Sequence, residues 1–111
     1  MSVIAPDSKV CTLINVFTVE PEKQQQLLDT LVEATDRVIR HLPGFISANF
    51  HKSIDGVRVT NYAQWEDEAA LQAMLRNPEA MEHIKICQQV AKSIDFHIYT
   101  VDSCFVAAQT S

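Results

Sequence analysis

Residues 10–19 are apolar and rich in β-branched side chains, the composition of a strand. Glu20-Pro21 marks a helix start, because proline at the first helical position gives up a donor that has no intrahelical partner there. The spacing then changes. Leu27, Leu28, Leu31, Val32, Thr35, Val38 and Ile39 recur at three- and four-residue intervals, one apolar helix stripe that needs a sheet to lie on. Leu42-Pro43-Gly44 ends that helix. Residues 45–54 and 57–65 are strand-like and flank Asp55-Gly56, a hairpin signal because both residues of a two-residue turn take positive φ. Asp67 is placed to cap a short helix carrying Leu71, Met74 and Leu75. Arg76-Asn77-Pro78 breaks the chain, and Pro78 opens a longer helix with Met81, Ile84, Cys87, Val90, Ala91 and Ile94 inward. Residues 95–106 read as the last strand.

The order β-α-β-β-α-β is the α+β ferredoxin-like arrangement, an antiparallel four-stranded sheet with helices on one face. With 111 residues the chain has room for one domain, placed over residues 10–106, with 1–9 and 107–111 as flexible ends. A core this small would gain stability from a homodimer.

The hairpin assigns faces. A turn at Asp55-Gly56 puts Ile46 opposite Trp65, Ala48 opposite Ala63 and Phe50 opposite Asn61, all on one face. That face is apolar except for Asn61 and should lie under the helices. A buried amide costs roughly 1–3 kcal/mol unless its donors and acceptor are satisfied. Asn61 either bonds backbone or water, or it is the polar group of a pocket, and Trp65 is either core or pocket wall. On the second reading, Asn61 and Trp65 outline an apolar site for a flat aromatic substrate, with Ile46, Ala48, Phe50, Ala63 and Met74 as its walls. The opposite face carries Ser47, Asn49, His51, Thr60, Tyr62 and Gln64. It has few of the Lys, Glu and Arg residues of a solvated surface and suits a sheet-to-sheet homodimer interface.

Charge narrows the partners. The net charge is −5 and Lys and Arg form no cluster, which disfavours nucleic acid and acidic membranes. No apolar run spans a bilayer and residues 1–9 lack a signal-peptide pattern, so a cytoplasmic location is expected. Cys11, Cys87 and Cys104 are far apart and read as thiols in a reducing compartment. The histidines His41, His51, His83 and His97 show no metal-ligand spacing, so no metal is expected. His83, on the long helix, is either a surface residue or a base facing the helix–sheet space. Two glycines cannot build a nucleophile elbow, a dinucleotide fingerprint or a phosphate loop.

INVFTVEPEKQQQLLDTLVEAT, HLPGFISANFHKSIDGVRVTNYAQW and AMLRNPEA resemble the antibiotic biosynthesis monooxygenase domain family. The resemblance covers about residues 10–102 and rests most on L-P-G-F, the D-G hairpin and N-Y-A-Q-W. It implies a dimeric α+β barrel and a monooxygenase that works without metal, flavin or haem on a phenolic, anthrone or quinol substrate with dioxygen. By the same resemblance Asn61 and Trp65 would be catalytic, matching the family's pocket pair in type and spacing; His83 joins them as the candidate base, with His51, or water for an acidic substrate, as the alternative. A related haem-degrading group is the alternative, with Asn15 matching its first-strand asparagine, Met74 standing near the place of its tryptophan and His83 near its histidine. A non-catalytic small-molecule-binding dimer, or an enzyme that isomerises or breaks down a small metabolite, fits the same fold.

Overall fold

The computed structural model describes residues 2–6 and 9–109. Its elements are β1 (Cys11–Thr18), a 3-10 turn (Pro21–Lys23) leading into α1 (Gln24–Arg37), a second 3-10 turn (Ile39–His41), β2 (Phe45–Lys52), β3 (Arg58–Trp65), α2 (Glu68–Leu75), α3 (Pro78–Val90) and β4 (Ser93–Tyr99). The strands form one antiparallel sheet in the order β2-β3-β1-β4. This is the α+β ferredoxin-like arrangement expected from the apolar spacing, with the second helical region divided in two. Among the described residues, no helix is long and apolar enough to cross a membrane.

Local chemistry sets the boundaries. Asp67 accepts a hydrogen bond from Ala70 N at 2.8 Å and Asn77 accepts one from Ala80 N at 3.0 Å, so each short polar side chain satisfies a donor that its helix start leaves over. Pro78 follows directly as the first helical residue. Proline at 21 gives only a 3-10 turn before α1 proper begins at Gln24. The final strand begins at Ser93 and ends at Tyr99, not at residues 95–106, so Ile94 belongs to the sheet and not to the helix.

Gly44 fixes how β2 enters the sheet. Its φ is +84°, and a Cβ there would collide with the Ala70 side chain, so both backbone conformation and space require glycine. Its carbonyl accepts from Glu66 N at 2.8 Å and ties the start of β2 to the end of β3.

The β2–β3 hairpin agrees with the sequence register at Ala48–Ala63 and Phe50–Asn61 and departs from it at two places. First, a bulge between Phe45 and Ser47 inserts one residue, so Phe45 and not Ile46 stands opposite Trp65. Second, Gly56 alone takes a positive φ, also +84°; no non-glycine residue does so among those described. Gly56 N bonds Ser53 O at 3.1 Å instead, and the Ser53 hydroxyl donates to Asp55 Oδ1 at 2.6 Å. That bond, with the Val57 N–H, holds the Asp55 carboxyl below its ordinary range.

Two packed clusters lie between sheet and helices. One gathers Cys11, Leu13, Val38, Ala63, Trp65, Leu71, Met74 and Ala80. The other gathers Phe17, Val19, Leu27, Val59 and Cys87. On the outer face, Thr12 and Gln64 are both 3% exposed. Gln64 donates to Val3 O at 2.7 Å and Ser2 donates to Ser47 Oγ at 2.7 Å, so part of the N-terminal segment is fastened to that face. Of the expected flexible ends, Met1, Asp7, Ser8, Thr110 and Ser111 lie outside the described residues.

Candidate active site

Inward-facing positions on the two central strands pair as Cys11 with Trp65, Leu13 with Ala63, Asn15 with Asn61 and Phe17 with Val59. The outer pairs feed the two packed clusters. The Asn15–Asn61 pair lies between them, where apolar packing stops. Phe50 stands opposite Asn61 on β2, and Phe96 stands opposite Asn15 on β4. One row therefore crosses the whole sheet as phenyl, amide, amide, phenyl.

Above this row is a cavity of about 400 Å³. Its floor includes Leu13, Phe17 and Ile94 besides the row itself, and its roof is built by Leu31, Thr35 and Ile39 of the first helical segment and by Met81, Ile84, Cys87 and Gln88 of α3. Met74 and Leu75 close the α2 side. Asn15 Oδ1 and Asn61 Oδ1 are both buried without a hydrogen-bond partner. Two neighbouring acceptors left open cost roughly 1–3 kcal/mol each, a cost that a ligand's donor can offset.

Among the described residues, those lining the cavity include no Asp, Glu, His, Lys or Arg. Cys87 is the one titratable side chain in the lining, and burial pushes its thiol up to about 11, so near neutral pH it is a neutral wall and not a base. An oxyanion placed here would meet amide dipoles in an apolar surround, where each hydrogen bond counts for more than in water.

The residues expected at the site divide into groups. Asn61, Phe50 and Met74 line the cavity. Trp65 and Ala63 share the inward face of β3 with Asn61 but lie in the packed cluster, at 1% and 2% exposure, and do not line the cavity. The Trp65 ring meets Phe45 edge-on, centroids 5.3 Å apart, where the bulge has delivered that phenyl. Ala48 lines a separate groove beside β2, and Ile46, expected as a wall, is 38% exposed in that same groove because the bulge shifts it out of register. His83 is outside the lining, with Nδ1 bonded to Glu79 O at 3.0 Å on its own helix.

Sequence reasoning had not assigned Asn15, Phe96 or Gln88 to a pocket of this kind. Asn15 was within reach of it: alternation along β1 places it inward, and pairing β1 with β3 sets it beside Asn61. Gln88 carried no such signal, since a polar residue late in a helix reads as solvent-facing.

The family described as antibiotic biosynthesis monooxygenase matches residues 11–85, more than half of the chain. A tetracenomycin-F1 monooxygenase of Streptomyces glaucescens is 49% identical over 92 residues, covering 83% of this chain and 82% of that one. The crystal structure of a monooxygenase from the gene ActVA-Orf6 of Streptomyces coelicolor, in complex with nanaomycin D, superposes with a TM-score of 0.79 at 27% identity, over 94% of this chain and 96% of that one. SnoaB, a cofactor-independent oxygenase from Streptomyces nogalater, shares the fold with a TM-score of 0.66 at 21% identity, over 93% and 97% of the two chains.

Proposed function

Since the chain belongs to the antibiotic biosynthesis monooxygenase family, we propose that it oxygenates a phenolic, anthrone or quinol-type aromatic substrate with dioxygen in the cavity over Asn15 and Asn61. The observation that carries this reading is the row Phe50, Asn61, Asn15, Phe96, two open amides between two aromatic rings on the floor of an apolar chamber. The names of the Streptomyces glaucescens and Streptomyces coelicolor relatives point to the same reaction type.

The chemistry asks little acid–base work of the protein. An anthrone loses a proton from its methylene carbon to give an enolate, which passes one electron to dioxygen. The substrate radical and superoxide combine to form a C–O bond, and the protonated hydroperoxide loses water to leave a quinone. One dioxygen is consumed, with one oxygen atom kept in the product and the other released as water. The side chains act on the anion: an asparagine amide carries two donors as well as an acceptor, so Asn61 and Asn15 serve the hydroxyl of a phenol or quinol, or the carbonyl oxygen of an anthrone, before ionisation and the oxyanion after it. The apolar roof excludes water and holds the ring flat against the floor. With no basic side chain in the described lining, the proton leaves to solvent or to a basic oxygen of the substrate. Trp65 acts by packing in the cluster beside the site and His83 stays outside it, so neither is assigned a direct contact. No metal or organic cofactor is needed for these steps.

The protein would work as a homodimer joined through the outer sheet face. Tyr62 Oη on that face is buried without a partner, and Tyr99, paired with Thr12 on the same face, is 44% exposed. A cytoplasmic location suits the free buried thiols of Cys11 and Cys87. Oxygen uptake by purified protein with anthrone tests the proposal. Uptake should fall by about 10²-fold or more in Asn61→Ala and by far less in Trp65→Phe. Equal rates in wild type and Asn61→Ala would refute the assignment.

A further inference from the structure

The cavity has a second polar place, across from the amide row. Four of its lining residues carry hydrogen-bonding side chains: Asn15 and Asn61 on the floor, Thr35 and Gln88 on the roof. The Thr35 hydroxyl donates to Leu31 O at 2.8 Å, so its proton is committed. The Gln88 side chain makes no hydrogen bond to any described residue. It is exposed, whereas its α3 neighbours in the lining, Ile84 and Cys87, are partly or wholly buried.

Helical spacing explains how an exposed glutamine reaches a cavity. Met81, Ile84 and Gln88 are three and four residues apart, so they form one stripe along α3, and the apolar members of that stripe roof the chamber. Gln88 ends the stripe. Its amide belongs to the chamber's boundary with solvent, and it keeps both a donor group and an acceptor free.

We infer that Gln88 is a specificity-determining residue that binds an oxygen substituent on the edge of the substrate away from the oxyanion. This rests on the reading of the cavity as an aromatic oxygenase site and narrows the substrate to rings oxygenated at two separate edges. One edge meets the Asn15–Asn61 pair and the other meets Gln88. An aromatic without the second oxygen leaves Gln88 to water, which costs little because the residue is exposed. The residue therefore rewards the substituted ring and barely penalises the bare one.

The test compares anthrone with 2-hydroxyanthrone, which differ by one lateral hydroxyl, in wild type, Gln88→Met and Gln89→Met. Methionine keeps the length of glutamine without its polar atoms, and Gln89 is exposed and outside the lining. The ratio of kcat/KM for the hydroxylated over the bare ring should fall about 3- to 10-fold in Gln88→Met, the range of one hydrogen bond at a wet site. The change should appear in KM, and the ratio should stay at its wild-type value in Gln89→Met. A ratio unchanged in Gln88→Met overturns the inference.

Binding of 2-hydroxyanthraquinone and anthraquinone, titrated by calorimetry, separates this inference from the oxygenase reading. If wild type consumes no oxygen with either anthrone, that reading fails, and the quinone pair still decides Gln88. A preference for the hydroxylated quinone that Gln88→Met abolishes supports its role. Equal preference in the two proteins, or binding of neither quinone, overturns it.

Discussion

Under the helices, the ends of the sheet and its middle are built from the same strands and come out differently. At one end Trp65 packs with Leu71, Met74 and Ala80 into a cluster with almost no exposed surface, flanked by half-buried Phe45. At the other, Leu27 and Val59 are both 0% exposed and close around Phe17 and Cys87. Between them, two residues from Trp65's neighbour Ala63 along the same face, Asn61 and its partner Asn15 leave about 400 Å³ unfilled. Period-2 alternation puts all these side chains on one face, so exposure to the helices does not distinguish them. Side-chain chemistry does. Leucine at 15 and 61 would make this floor apolar throughout, and the amides give the open middle its unsatisfied polar groups.

The comparison breaks first at the packed end. Trp65→Ala removes the largest fully buried side chain and should lower unfolding free energy by about 3–5 kcal/mol, measured by urea denaturation. A loss below 1 kcal/mol would mean that the end is looser than its burial suggests. Gly44→Ala tests the anchor that presents β2 to this cluster. A positive φ and the collision with Ala70 together should cost about 1–3 kcal/mol and lower Tm in a thermal melt; an unchanged Tm would show that the entry to β2 can shift without strain.

Cys87 gives the smallest effect, and it touches both regions. It lies in a packed cluster and lines the cavity. Burial raises its thiol from 9.0 to about 11, so the folded state favours the neutral form. Its contribution to stability is present in full below pH 9 and is lost as pH rises from 9 towards 11. Wild type should lose stability across that window more steeply than Cys87→Ala. Parallel curves would show that the thiol is not desolvated.

What the sequence made legible follows from how far each signal is local. The helix cap at Asp67, the helix start at Pro78, the strand pairings Ala48–Ala63 and Phe50–Asn61, and the inward face of β3 are set by residues close in the chain, and each is readable. The bulge at Ile46 was not. It adds one residue to a strand whose composition does not change, and it moved one expected wall residue out to the surface. Trp65 lies on the expected face and takes the core reading of the two the sequence leaves open, because alternation says which way a side chain points and nothing about what already fills the space above it. The Asn15–Asn61 pair needed the β1–β3 register, a contact between strands far apart in sequence. His83 fits the helical pattern only at the flank of the cavity stripe, and its ring turns back to Glu79 O.

The two amides equip the open middle of the core for a ligand at a cost to stability. The most direct test is the unfolding free energy of the double variant Asn15→Leu, Asn61→Leu, taken from urea denaturation without substrate. Replacing two unsatisfied buried acceptors by apolar groups of similar size should leave stability unchanged or raise it by about 1–2 kcal/mol, with anthrone-dependent oxygen uptake lost. A double variant destabilised by more than about 2 kcal/mol would contradict the account, because the amides would then be holding the fold together instead of equipping a site.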